Sequence, residues 1–82
     1  NTQYRAWAIR LRAAFEKTYG PFPGTDDNAV DAVFNEIPSQ RAYINVGKAY
    51  NKEYPGRDFT KDLKDDVDYD HYMKIILRKK QS

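Results

Sequence analysis

The chain has no cysteine and a single histidine, His71. The lack of cysteine excludes a disulfide framework, a thiolate zinc site and a cysteine nucleophile. It leaves the cellular compartment open, because secreted proteins can also lack cysteine. With no cysteine and no second histidine to join it, His71 is interpreted as an ordinary helix residue rather than a ligand or base.

The chain also lacks a long apolar run and a strong charge of either sign. No stretch approaches the roughly 18 to 20 apolar residues that a membrane span needs, and no segment has the pattern of a signal peptide. Fourteen Lys and Arg oppose 12 Asp and Glu, for a net charge of +2. This net charge is too small to suggest a nucleic-acid binder, whose basic residues would also concentrate on one face. We therefore expect no nucleic-acid partner.

What is present fits one small helical domain. A chain of 82 residues leaves no room for a large enclosed active site, because small domains bury only about 60 to 65 % of their unfolded surface. Aromatic residues make up 15 %, including seven Tyr, enough for a compact core. Since the chain begins at Asn1 rather than Met, we expect residues 1–82 to be part of, or processed from, a larger protein.

Apolar residues recur at helical spacing in five segments, and no alternating strand pattern competes with them. The first helix is predicted over 2–19, ended by Gly20-Pro21; the second over 26–37; and the third over 39–54. A short fourth helix follows Asp58, and a fifth follows the acidic stretch DDVDYD. The predicted inward residues are Tyr4, Trp7, Ala8, Leu11, Ala14, Phe15, Thr18, Ala29, Val30, Val33, Phe34, Ile37, Tyr43, Val46, Gly47, Tyr50, Tyr54, Phe59, Leu63, Val67, Tyr72, Met73, Ile76 and Leu77.

The order of short motifs resembles one annexin repeat over essentially the whole chain. These motifs are Gly24-Thr25-Asp26 with Ala29 and Val30, Gln40-Arg41, the segment AYNKEY at 49–54, and Asp62-Leu63-Lys64-Asp65-Asp66. The resemblance implies an all-α fold of five helices in a right-handed superhelix. Four helices would form a bundle and the third would lie across it.

The resemblance also implies a calcium site. Its ligands would be backbone carbonyls of Gly20, Phe22 and Gly24, together with the carboxylate of Asp66. Calcium prefers oxygen ligands of this kind. Asp65 and Asp68 are the alternative acids.

The loop before the second helix leaves two interpretations open. Phe22, between two prolines, stands where the family has glycine, and this restricts the backbone at three successive positions. Thr25, Asp26 and Asp27 fit a helix cap with acids in the first turn, and this interpretation is preferred to a calcium-binding role. Phe22 itself is either a plug over the end of the bundle or an exposed tip for a membrane or a partner.

No motif points to catalysis. GPFPGT lacks the Lys-Ser/Thr of a phosphate-binding loop, and no nucleophile has an evident base. The stretch 66–70 begins like an EF-hand loop, but His71 and Leu77 stand where that loop requires Gly and Glu. Its acids are interpreted as caps and solvated charge.

Two functions follow. The first is a non-enzymatic structural or interaction module, an adaptor or assembly domain that needs no cofactor and binds a protein partner or parent assembly. The alternative is calcium-dependent binding to an anionic phospholipid surface through the 20–26 loop and Asp66.

Overall fold

The computed structural model describes residues 2–19 and 22–66. Four helices make up most of this part: α1 Thr2–Phe15, α2 Asp27–Glu36, α3 Gln40–Glu53 and α4 Phe59–Asp66. Two short strands, β1 Thr18–Tyr19 and β2 Phe22–Pro23, pair antiparallel between α1 and α2. The all-α class is confirmed for these ranges, whereas the predicted fifth helix lies outside them.

The first helix ends four residues earlier than predicted, at Phe15, and Thr18 belongs to β1 instead of the helical stripe. The chain folds back at this point, and later N–H groups bond the free carbonyls. The Gly24 N–H donates to the Lys17 carbonyl at 2.9 Å, and the Asp26 N–H donates to the Ala14 carbonyl at 3.0 Å. Helix ends need such partners for their last carbonyls. Here the Asp26 N–H supplies one for Ala14, whereas the Gly24 N–H bonds Lys17, which lies beyond the last residue of α1.

The three helix starts that follow have side-chain caps, as their sequences predict. Asp26 accepts from the Ala29 N–H at 3.1 Å, and Ser39 accepts from the Ala42 N–H at 3.1 Å. Asp58 accepts from the Lys61 N–H at 2.9 Å. Each cap satisfies an N–H that has no partner within its helix. The capping role of Asp26 is thereby confirmed.

The core lies where α1 packs against α2 and α3, and α4 closes it against α3 and α1. Most residues predicted to face inward are buried, and Tyr4, Ala29, Tyr43 and Tyr54 are partly buried against them. Among the described residues, the buried apolar side chains are Trp7, Ala8, Leu11, Ala14, Phe15, Val30, Val33, Phe34, Ile37, Ala42, Val46, Tyr50, Phe59 and Leu63.

Gly47 allows the close approach of α3 and α4. A Cβ at Gly47 would lie 3.0 Å from Cδ2 of Phe59. The Phe59 ring is itself held between Tyr43 and Tyr50, with centroid separations of 5.6 and 5.3 Å. The mid-helix glycine is therefore explained by packing, as the sequence predicts.

Candidate functional site

The residues predicted to bind calcium are only partly described. Phe22 lies in β2 opposite Tyr19, Gly24 follows this strand, and Asp66 is the last residue of α4. Gly20 and the side chains of Phe22 and Asp66 lie outside the described part, as do His71 and the alternative ligand Asp68. The calcium site and both roles suggested for Phe22 therefore stay predictions.

Within the described ranges, no group of three or more His, Cys, Asp or Glu side chains is placed to hold a metal ion. None of the helices seen there combines the length and the apolarity that crossing a membrane requires.

Asp62, on the inward side of α4, is the buried charged residue of the described part. Its side chain is 4 % exposed, and it receives hydrogen bonds from two directions. The Tyr50 hydroxyl donates to Oδ2 at 2.6 Å, while Arg57 donates from Nη2 to Oδ1 at 2.8 Å and from Nε to Oδ2 at 3.1 Å. Arg12 Nη1 approaches Oδ2 at 3.4 Å. We call these four residues the Asp62 network.

The turn before α4 positions one member of this network. Gly56 has φ of +88°, a conformation that glycine adopts without strain. The following N–H, that of Arg57, donates to the Tyr54 carbonyl at 3.0 Å. This tight turn places the Arg57 guanidinium against Asp62, to which it donates two hydrogen bonds.

The network shifts the acidity of its members in opposite directions. Burial favours the neutral form of Asp62, but hydrogen bonds from Tyr50 and Arg57 outweigh it and hold the pKa of this carboxyl below its usual range. Burial, followed by the hydrogen bond to Asp62, raises the pKa of Tyr50 to about 12. Tyr50 thus stays protonated and donates to an ionised Asp62 at neutral pH. Such an arrangement stabilises the packing of α1, α3 and α4.

Two further ion pairs tie the outer surface of α1 to its neighbours. Arg10 donates two hydrogen bonds to Glu36 at 2.7 and 2.8 Å, and the Trp7 indole N–H donates to the same carboxylate at 3.2 Å. These contacts, that of Arg10 first, lower the pKa of Glu36 to about 2. Arg5 donates two hydrogen bonds of 2.9 Å to Glu53. Bidentate pairs fix orientation as well as contributing energy.

A surface groove runs along α3. One part, of about 740 Å³, lies between the start of α1 and the second half of α3, and the adjoining part, of about 540 Å³, continues along α3 towards its start. The two parts share Asn45 and Lys48. We call the whole the α3 groove. Its lining residues are Thr2, Tyr4, Arg5, Gln40, Arg41, Ile44, Asn45, Lys48, Ala49, Lys52 and Glu53.

Neither the Asp62 network nor the α3 groove was predicted from the sequence. In the sequence, Asp62 stood out only as the first residue of the motif at 62–66. Its spacing from Phe59 and Leu63 nevertheless puts it on the inward side of a helix. Along α3, Arg41 and Lys48 lie about two turns of helix apart, and Lys48 and Lys52 lie about one turn apart. This spacing could have indicated a basic stripe. Their association with α1 could be found only in the folded chain.

No family model matches the sequence, and searches of curated proteins and of solved structures find no match either.

Proposed function

We propose that the chain is a non-enzymatic structural or interaction module with an annexin-like five-helix repeat fold, serving as an adaptor or assembly domain within a larger protein. The observation that carries this proposal is the backbone bonding of the loop after α1. Gly24 and Asp26 donate their N–H groups to carbonyls of the preceding segment, and the Asp26 carboxylate caps α2. These groups stabilise the fold itself.

The buried polar groups support the same proposal. Among the described residues, every buried side-chain nitrogen or oxygen has a hydrogen-bond partner. The Asp62 network joins three helices, which is the arrangement expected of a rigid scaffold. The α3 groove is open to solvent. A module of this kind acts through its surface.

Calcium titration by calorimetry tests the proposal against the alternative of calcium-dependent membrane binding. The 82-residue chain is compared with its Asp66→Ala variant, and thermal unfolding is recorded with and without millimolar calcium. We expect no saturable heat and no thermal stabilisation in either protein. A matched magnesium titration controls for general ionic effects.

One combination of results would overturn the proposal. Saturable calcium binding that is lost in Asp66→Ala, together with calcium-dependent sedimentation on phosphatidylserine vesicles, would overturn the interaction module and establish the alternative. Calcium-independent binding to members of a peptide array of mixed composition would support the module directly.

A further inference from the structure

The α3 groove carries a row of basic side chains with no acidic partner in the described part. Arg41, Lys48 and Lys52 are exposed and lie with Asn45 along one side of α3. None of the three cations makes an ion pair with a described residue. Lys48 and Lys52 are four residues apart, a spacing at which like charges repel and weaken a helix.

The other described arginines differ from Arg41, because each of them forms an ion pair with a carboxylate. The pairs are Arg5 with Glu53, Arg10 with Glu36, Arg12 with Glu16 and Asp62, and Arg57 with Asp62. Glu53 is the one acid that lines the groove, and Arg5 neutralises it by a bidentate contact. The groove therefore presents net positive charge.

The shape of the groove favours a chain segment as its occupant over a flat lipid surface. Tyr4 and Ala49 are partly buried against the core and line its apolar part. Ile44, 48 % exposed, adds an apolar contact in the adjoining part. From Gln40 to Glu53 the helix extends about 20 Å. An extended peptide of about six residues spans that distance.

We infer that the α3 groove binds an acidic segment of a partner protein, with Arg41, Lys48 and Lys52 pairing its carboxylates and Tyr4, Ile44 and Ala49 contacting its apolar side chains. The inference rests on the proposed interaction function and names the chemistry of the partner. Alternating acidic and apolar residues suit an extended segment, whose side chains point to opposite sides in turn. Charge complementarity supplies specificity and a fast association rate.

Fluorescence anisotropy with a labelled peptide of alternating Glu and Tyr, about six residues long, tests the inference on the 82-residue chain. We expect saturable binding that weakens as salt is raised, because exposed charges are screened. The same peptide with Gln in place of Glu should bind at least about tenfold more weakly, since several ion pairs of modest strength are lost together.

A pair of double variants with the same change of charge locates the binding surface. Lys48→Glu/Lys52→Glu reverses two groove cations and should weaken binding at least about tenfold. Lys17→Glu/Lys61→Glu reverses two exposed cations outside the groove and should change it less than about twofold. All four lysines are exposed, so thermal unfolding should show both variants folded.

Four results would overturn the inference. Equal loss in both double variants would mean that net charge alone governs binding. Binding to phosphatidylserine vesicles without calcium, lost on groove reversal while the peptide does not bind, would assign the groove to a membrane. If the peptide binds only to the variant Asp68→Asn/Asp70→Asn, the occupant of the groove is the acidic stretch DDVDYD of the same chain rather than a partner. If array peptides of other chemistry bind instead, this inference fails and the interaction module survives.

Discussion

Replacing Asp62 by Asn tests the central packing argument, because the substitution keeps the size of the side chain and removes its charge. One oxygen becomes an NH₂ group, which cannot accept a hydrogen bond. If the remaining oxygen faces Tyr50, the contact with Arg57 Nη2 at 2.8 Å is lost; if it faces Nη2, the 2.6 Å bond from Tyr50 is lost. In the first orientation the NH₂ group faces the Nη2 donor of Arg57. In the second it faces the Nε donor of Arg57, which bonds the same oxygen as Tyr50.

The expected loss follows from burial. A hydrogen bond to a charged group contributes about 1.5–3 kcal/mol, and leaving a buried partner unsatisfied adds to the cost. The Arg57 side chain is 49 % exposed, so water compensates part of its loss. We expect Asp62→Asn to lower the free energy of unfolding by about 2–4 kcal/mol, a large part of the roughly 4–12 kcal/mol typical for a domain of this length.

Urea unfolding followed by the fluorescence of Trp7 measures this change. Trp7 is the only tryptophan and is 7 % exposed, so it reports loss of the core. The slope with urea should stay constant while the midpoint falls. Asp65→Asn, an exposed acid on the same helix, is the control and should stay within about 0.5 kcal/mol of the parent.

A second variant and a pH series test the Asp62 network independently. Tyr50→Phe should cost about 1–2 kcal/mol, and the double variant with Asp62→Asn should show a coupling of at least about 1 kcal/mol. Because the pKa of Asp62 is lowered in the fold, its stabilisation is complete above the ordinary carboxyl range and is lost as pH falls through the folded value. Asp62→Asn should lack this acid dependence. A loss below about 1 kcal/mol with no coupling would refute the network.

Three further predictions follow from single contacts. Gly47→Ala should lower stability by about 1 kcal/mol despite the better helix propensity of Ala, since Phe59 is held in place; a raised melting temperature would contradict this. The pKa of Glu36 is lowered to about 2, so its stabilisation is complete above the ordinary carboxyl range and is lost as pH falls through 2; Trp7 fluorescence should titrate there, and Glu36→Gln should abolish the transition. The pKa of Tyr50 is raised to about 12, so its stabilisation is present at neutral pH and lost as pH rises through 12; ultraviolet titration should show one fewer late-ionising tyrosine in Tyr50→Phe.

Local sequence determined where α2, α3 and α4 begin. Ser39 and Asp58 cap the helices that follow them, and Val30, Val33 and Val46 are buried as their spacing predicts. Caps and helical stripes depend on residues three or four positions apart, so a short window of sequence contains the information. Gly47 belongs with them, because a glycine in mid-helix indicates a close contact before the neighbour is known.

Tertiary structure alone decided where α1 ends and which charges meet. Phe15 ends the helix because the returning loop bonds its last turn, although the helical spacing of the sequence continues to Thr18. Arg12 approaches Asp62 across 50 positions of chain, and the α3 groove needs α1 beside α3. Such contacts depend on how the helices pack, because packing brings together side chains that no periodicity of the sequence relates.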